Sequence, residues 1–335
     1  MVRFILGWHK NGVYYWYGEN KEFTEKGGKI WHWGVNCYTS RDLYNWKFEK
    51  LIIPPEPDDP TSPLNPNACM DRPHIVFCEK TKKYVAWLKI MSQETFRQFM
   101  CVMQADNFLG PYEFVRKHYH PLEMDSGDFD LVIRGDKGYM IFERPHFEMI
   151  CADLTDDFTA VTGKYSVHFS GTKPPYTREA PVYFERNGKG YLFTSGTTGY
   201  FPNESRVALI ENGMHGEYKD LGNPHPSDET RASFSSQITD VLKLPGKDVY
   251  IALADRWLSP VTKEQSRETV KRFEKYFENY VSETAPRKSD DPVTFGNSVF
   301  DEAASSATYV WLPISWKGDM PIIEMKKEWK IEDLV

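Results

Sequence analysis

Cysteine is scarce in this chain and badly placed for cross-linking: Cys37, Cys69, Cys78, Cys101 and Cys151 are odd in number and lack CxxC spacing. That argues against a disulfide framework or a structural zinc and suggests a reducing compartment. Long apolar runs are missing too, and no segment approaches the ~20 residues of a membrane span. The opening MVRFILGWHKNG has neither the length nor the cleavage site of a signal peptide, so the expectation is a cytoplasmic protein, or a secreted one if residues precede Met1. Runs of basic residues are also lacking, and the net charge is −7. This speaks against nucleic acid or an anionic membrane as partner and leaves a small neutral or basic ligand. Of the nine histidines only His118 and His120 lie close together. Alternate positions of one strand would put both on one face, a weak metal signal. No cofactor is expected, although a metal ion in an axial channel is not readable from sequence.

Aromatic residues, by contrast, are abundant: 15%, with 10 Trp, 19 Tyr and 21 Phe. Such a supply suits a β-rich core or flat rings stacked on a sugar. Five times a short apolar strand runs through a Gly/Lys/Asn turn into a strand led by an aromatic: VRFILGWHKNGVYYWYG, RPHIVFCEKTKKYVAWLK, FDLVIRGDKGYMIFE, APVYFERNGKGYLFTSG and ITDVLKLPGKDVYIALADRW. Alternation and turn chemistry make each a β-hairpin. A third strand and a less regular fourth follow, giving five antiparallel four-stranded units. Repetition at intervals of ~50 to 70 residues predicts an all-β five-bladed β-propeller. A β-sandwich would use about eight strands and leave half the chain unexplained.

One propeller domain is therefore expected over residues 1–335, interrupted in blade 5 by an insertion at 259–307, with EMKKEWKIEDL closing the last blade. Within the insertion, Val270, Phe273, Phe277, Tyr280 and Val281 recur at helical spacing, and Thr262 with Gln265 forms a capping box. An amphipathic helix follows, either packed on the propeller or serving as a lid or subunit contact. Oligomeric state is not readable.

In a propeller the first strand of each blade lines the axis, so equivalent starting positions converge. Counting back 11 to 13 residues from Tyr14, Tyr84, Tyr139, Tyr191 and Tyr250 reaches Val2, Asp71, Asp128, Glu179 and Gln237. Four of the five are acidic or amide. Acids do precede strands simply because turns are polar, but coincidence across blades is a stronger signal. Carboxylates gathered around a pit are what glycoside hydrolysis needs: a proton donor for the leaving oxygen and a partner for water.

The segments YYWYGENK, DRPHIVFCEKTKKYVAW, REAPVYFERNGKGYLFTSGTTGYFPN, SSQITDVL, ADRW and YVWLPI together resemble glycoside hydrolase family 43, in particular its exo-β-1,3-galactanase and arabinogalactan-active branch. The resemblance spans nearly the whole chain apart from the insertion. It implies a five-bladed propeller and an inverting exo-hydrolase acting on an oligosaccharide or polysaccharide, with galactose or arabinofuranose as the terminal sugar. It further implies that Glu179 is the general acid, that Asp128 tunes that acid and binds sugar hydroxyls, and that Gln237 places or activates water. Asp71 falls where the branch has the glutamate of an ERP motif, and Arg72 follows it. Glu19 and Thr197 match sugar-contacting positions. Three departures stand out: Gly127 replaces the usual arginine, Asp71 is one methylene shorter than glutamate, and Val2 stands where ordinary members carry a base. They define the alternative, a carbohydrate-binding propeller with impaired turnover.

The tetrapeptide at 71–74, DRPH, has a near copy in ERPH at 143–146. The first copy opens a blade and is a ligand-contact candidate. The second closes the second strand of blade 3, so the two are not equivalent, and Glu143 and Arg144 are assigned to the rim, as sugar contacts or a salt bridge.

Overall fold

The computed structural model describes residues 4–10, 12–25, 28–93, 95, 97–199, 201–256, 260–278 and 307–334. The chain is an all-β five-bladed β-propeller, with five four-stranded antiparallel sheets. Blade 1 holds β1 (Phe4–Lys10), β2 (Val13–Glu19), β3 (Val35–Ser40) and β4 (Lys47–Ile53). Blade 2 holds β5 (Cys69–Cys78), β6 (Lys83–Met91), β7 (Gln98–Ala105) and β8 (Glu113–Tyr119). Blade 3 holds β9 (Phe129–Arg134), β10 (Lys137–Arg144), β11 (Glu148–Leu154) and β12 (Val161–His168). Blade 4 holds β13 (Arg178–Arg186), β14 (Lys189–Gly196), β15 (Ser205–Glu211) and β16 (Glu217–Gly222). Blade 5 holds β17 (Gln237–Lys243), β18 (Tyr250–Arg256), β19 (Thr308–Lys317) and β20 (Met320–Ile323).

Strand order follows chain order in every sheet, as expected of successive short hairpins. One expectation needs correction. The closing strand of blade 5 is Met320–Ile323, upstream of EMKKEWKIEDL, because Gly318 at φ 62° turns the chain so tightly that Lys317 already pairs with Met320.

Two compact units are present, Met1–Arg144 with Ile150–Ser166, and Pro145–Met149 with Val167–Val335. In the first, Tyr17, Val35, Cys37 and Ile53 of blade 1 pack on Met70, Ala86, Leu88 and Cys101 of blade 2. Val85, Trp87 and Val102 of blade 2 pack in turn on Phe129, Met140 and Ile150 of blade 3. Trp87 is wholly buried, and its indole N–H donates to Phe158 O at 2.8 Å, so its one polar atom is satisfied. In the second unit Val182, Tyr191, Phe193 and Val207 of blade 4 meet Ile238, Tyr250, Ala252 and Leu312 of blade 5. The Tyr250 hydroxyl crosses that interface to donate to Glu185 O at 3.0 Å. Part of the aromatic surplus is spent here, on faces between blades. All five cysteines are free thiols in buried positions, and burial pushes Cys37 and Cys69 up to about 12, so neither is a thiolate near neutrality.

The insertion contains the helix the spacing predicts, α1 (Lys263–Phe277). The Thr262 hydroxyl accepts from Gln265 N while the Gln265 side chain accepts from Thr262 N, the reciprocal cap read from sequence. Phe273 and Phe277 are buried against Phe201 and Tyr276, and His146 meets the Phe277 ring edge-on at 5.4 Å. Tyr280 and Val281 lie outside the described residues, as does Val2.

Candidate active site

Asp71 and Glu179 are each followed by a residue and a proline, and the backbone treats the two triplets alike. In β5 the register slips between Asp71 and His74, and Arg72 takes φ 49°. In β13 it slips between Glu179 and Val182, and Ala180 takes φ 52°. Both are β-bulges in the first strand of a blade. Proline has no N–H for the ladder, so pairing must break there, and the extra residue re-aims the acid that precedes it. Left-handed backbone at non-glycine residues is unusual and concentrates at functional sites. The structural counterpart of DRP is therefore EAP at 179–181, not ERP at 143–145, where the strand is the second of its sheet and continues to Arg144. An acid-x-Pro pattern opening two hairpins was available in the sequence and is the signal that the near-identical tetrapeptides obscured.

In the first unit, Asp71 is fully buried. It accepts from the Trp31 indole N–H at 3.1 Å and faces Lys89 Nζ at 3.4 Å. Asp128, just before β9, pairs with Arg72 Nε at 3.0 Å and with the same Lys89 Nζ at 3.2 Å. Lys89 sits directly across from Asp71 in the β5–β6 register and ties the two aspartates together. The Arg72 N–H, released from the ladder by the bulge, donates to Glu19 Oε1 at 3.0 Å. Glu19 also lies 3.3 Å from Lys21 Nζ, which donates to Trp31 O and stands 3.9 Å from the centre of the Trp31 ring. Three carboxylates thus alternate with three cations in a buried network, the arrangement that keeps buried acids ionised.

Glu143 is buried. Its backbone exchanges two 2.8 Å hydrogen bonds with the Gly127–Asp128 pair. A Cβ at Gly127 would stand only 2.4 Å from Glu143 Oε2, so the side chain of Glu143 fills the space that a larger residue would need. Three residues after Asp71, His74 Nδ1 lies 3.4 Å from Asp130, and burial pushes its imidazole down to about 3.

In the second unit, β13 and β17 open side by side. Gln237 Nε2 lies 3.4 Å from Glu179 Oε1 and donates to Ser195 Oγ at 3.0 Å. Ser195 pairs with Glu179 in the β13–β14 register. Behind them the segment after β14 is folded on itself: Asn203 bonds both polar groups of the Gly196 backbone and the Thr198 hydroxyl. Thr197 is wholly buried, its hydroxyl 2.7 Å from that of Thr177. A bulge-aimed carboxyl with an adjacent neutral amide can donate a proton and orient water, the two demands of glycoside hydrolysis.

The chain matches the profile of Glycosyl hydrolases family 43 over residues 4–270. It is a glycosyl hydrolase of family 43. Among solved structures, a GH43 β-1,3-galactosidase crystallised with galactodeoxynojirimycin superimposes with a TM-score of 0.74 at 25% identity, over 98% of this chain and 95% of that one. A second GH43 β-1,3-galactosidase gives 0.73 at 25% identity, over 98% of this chain. The exo-β-1,3-galactanase of Phanerochaete chrysosporium gives 0.72 at 21% identity over 96% of this chain, a likeness of fold. The chain spans 59% and 62% of the length of these last two proteins. No curated protein matches it.

In the first unit Lys89, Lys21 and Trp31, and in the second unit Ser195, contact the candidate residues and are not among the candidates that the sequence motifs yield. Lys89 carries the clearest signal, a lysine amid the apolar run YVAWLKI, since a cation in a buried strand requires an acid opposite it. His118 and His120 lie against the Phe99 ring, at 4.8 and 5.9 Å. Among the described residues no group of three or more His, Cys, Asp or Glu is placed to hold a metal ion.

Proposed function

We propose that this glycosidase is exo-acting and inverting, and that it removes a terminal galactose or arabinofuranose from galactan- or arabinogalactan-type chains. The observation that carries the reading is the Glu179–Gln237 pair, a bulged carboxyl beside an amide at the heads of two neighbouring first strands. The match to a β-1,3-galactosidase along almost the full length of both chains supports galactose and a β-1,3 linkage first.

In the proposed reaction, protonated Glu179 gives its proton to the glycosidic oxygen as the bond from that oxygen to the anomeric carbon breaks. A water attacks the opposite face of the anomeric carbon, and its surplus proton passes to solvent, from which Glu179 is later reprotonated. The carbonyl of the Gln237 amide accepts a hydrogen bond from that water and holds it in line. An amide is neutral and a far weaker base than a carboxylate, so its part is positioning, which alone can lower a barrier substantially. Acid and water-activating groups of inverting enzymes stand roughly 6.5–9.5 Å apart, whereas the Gln237 amide is 3.4 Å from Glu179 here. Binding of sugar between them therefore requires Gln237 to release Glu179, with Ser195 Oγ, already 3.0 Å away, retaining the amide. Asp71, Asp128, Arg72 and Glu19 are assigned to sugar hydroxyls or to the support of groups that bind them.

The test is incubation of the protein with β-1,3-galactotriose, an aryl β-galactoside and an aryl α-arabinofuranoside. Release of one monosaccharide at a time supports the reading. Binding without release is the outcome for a carbohydrate-binding propeller and would overturn it.

A further inference from the structure

The turn that leads into β13 carries an aromatic ring whose treatment by the fold is unusual. Along Thr172–Glu179 the prolines Pro174 and Pro175 and the threonine Thr177 are buried, yet Tyr176 between them is 58% exposed, the most exposed large apolar or aromatic side chain among the described residues. Exposure would ordinarily leave such a ring free to rotate. Here both it and its turn are held. Tyr176 N donates to Lys173 O at 2.8 Å, closing the turn, and the Tyr176 hydroxyl donates to Glu274 of α1 at 2.6 Å. Lys173 Nζ donates to Glu278 O, at the end of the same helix, at 2.9 Å.

The helix is itself anchored. Phe273 and Phe277 are buried, the Arg272 guanidinium lies 5.2 Å from the Phe201 ring, and Val261 N, just before the helix, donates to Ser235 Oγ at 2.9 Å. Ser235 is two residues from Gln237, and Phe201 belongs to the segment that follows Ser195 and Thr197. The insertion therefore grips the backbone leading into Gln237, the turn leading into Glu179, and the loop after β14. A face of a flat ring, exposed but immobilised by its polar end, is the arrangement that stacks on a sugar without first having to be ordered. Only two residues lie between Tyr176 and Glu179, so their Cα atoms are within about 11 Å even if the chain is fully extended.

We propose that Tyr176, oriented by Glu274 of α1, is the stacking platform for the sugar on the leaving-group side of Glu179, and so a determinant of preference for oligosaccharides over simple glycosides. The inference rests on the reading of Glu179 as the acid. The insertion is then part of substrate selection, as the element that holds the platform.

The experiment compares β-1,3-galactotriose with β-galactosyl fluoride, whose leaving group has no ring to stack, in wild type, Tyr176→Ala, Tyr176→Phe and Glu274→Ala. Tyr176→Ala should lower kcat/KM for the trisaccharide ~10-fold more than for the fluoride, through KM, a ratio that corresponds to about 1.4 kcal/mol. Tyr176→Phe and Glu274→Ala keep the ring and remove the hydrogen bond that orients it, and should raise KM for the trisaccharide ~2- to 3-fold. Equal losses on the two substrates, or no loss, would overturn the platform, and unchanged KM in Glu274→Ala would overturn the orienting role. Should wild type cleave neither substrate, the glycosidase reading of the site fails separately. The platform is then decided by calorimetric titration with the trisaccharide: binding ~10-fold weaker in Tyr176→Ala sustains it, and equal or absent binding overturns it.

Discussion

Replacing Lys89 by methionine keeps the length of the side chain and deletes the cation that lies 3.4 Å from Asp71 and 3.2 Å from Asp128. At an effective dielectric of about 20 each of these attractions amounts to about 5 kcal/mol, and much of that is offset by the cost of burying the charges. What remains when one partner of a buried pair is removed is about 3–5 kcal/mol of destabilisation, because the surviving carboxylates are left facing each other without their shared counter-charge. Arg72 still pairs with Asp128, whereas Asp71 keeps a neutral donor in the Trp31 indole N–H, so the loss of counter-charge falls more on Asp71. Urea unfolding at pH 7, followed by tryptophan fluorescence and by far-UV circular dichroism, should show the loss. Lys89→Arg should lose much less. Asp71→Asn in the Lys89→Met background should recover about half of the deficit, since it removes the stranded charge. A Lys89→Met protein within about 1 kcal/mol of wild type would refute the claim that this lysine holds the two aspartates.

Burial holds His32 and His74 down to about 3 and His225 down to about 4, so all three are neutral in the fold while the unfolded chain protonates them near 6.5. Their contribution to stability is complete above pH 6.5 and is lost as pH falls toward 3–4, each costing roughly a tenfold drop in the folding constant per pH unit; a stability that stays flat between pH 7 and pH 5 would contradict this. Glu179→Gln keeps the shape of the acid and removes its proton, so turnover of an unactivated galactoside should fall ~100-fold or more, with an activated aryl galactoside spared and the melting temperature little changed; near-full activity on the unactivated substrate would show that another group is the acid.

The blades were legible because each hairpin announces itself locally, by alternation and a turn such as Asn187-Gly188, and because the unit recurs. The cap of α1 was legible for the same reason: Thr262 and Gln265 meet across three residues. Asp71 and Glu179 were found by counting from aromatics, since strand starts are equivalent in a repeated sheet. What joins them to their surroundings was not legible. Trp31 reaches Asp71 across forty residues, and Lys89 reaches Asp128 across thirty-nine. Pairings of that range depend on how blades stack, which no local pattern encodes. The likeness of DRPH and ERPH drew attention to four letters, while the backbone answers to proline's missing N–H and to strand position, which unite 71–73 with 179–181. The burial of Glu143 is equally non-local, since its side chain occupies the space that Gly127, sixteen residues earlier, leaves open.

The most direct test of an exo-acting, inverting enzyme is the proton NMR spectrum of the reaction with β-1,3-galactotriose, recorded faster than the released sugar mutarotates. The account predicts that α-galactose appears first, one sugar at a time from the non-reducing end, with β-galactose growing in later. First-formed β-galactose, or internal cleavage that leaves no free galactose, would contradict it.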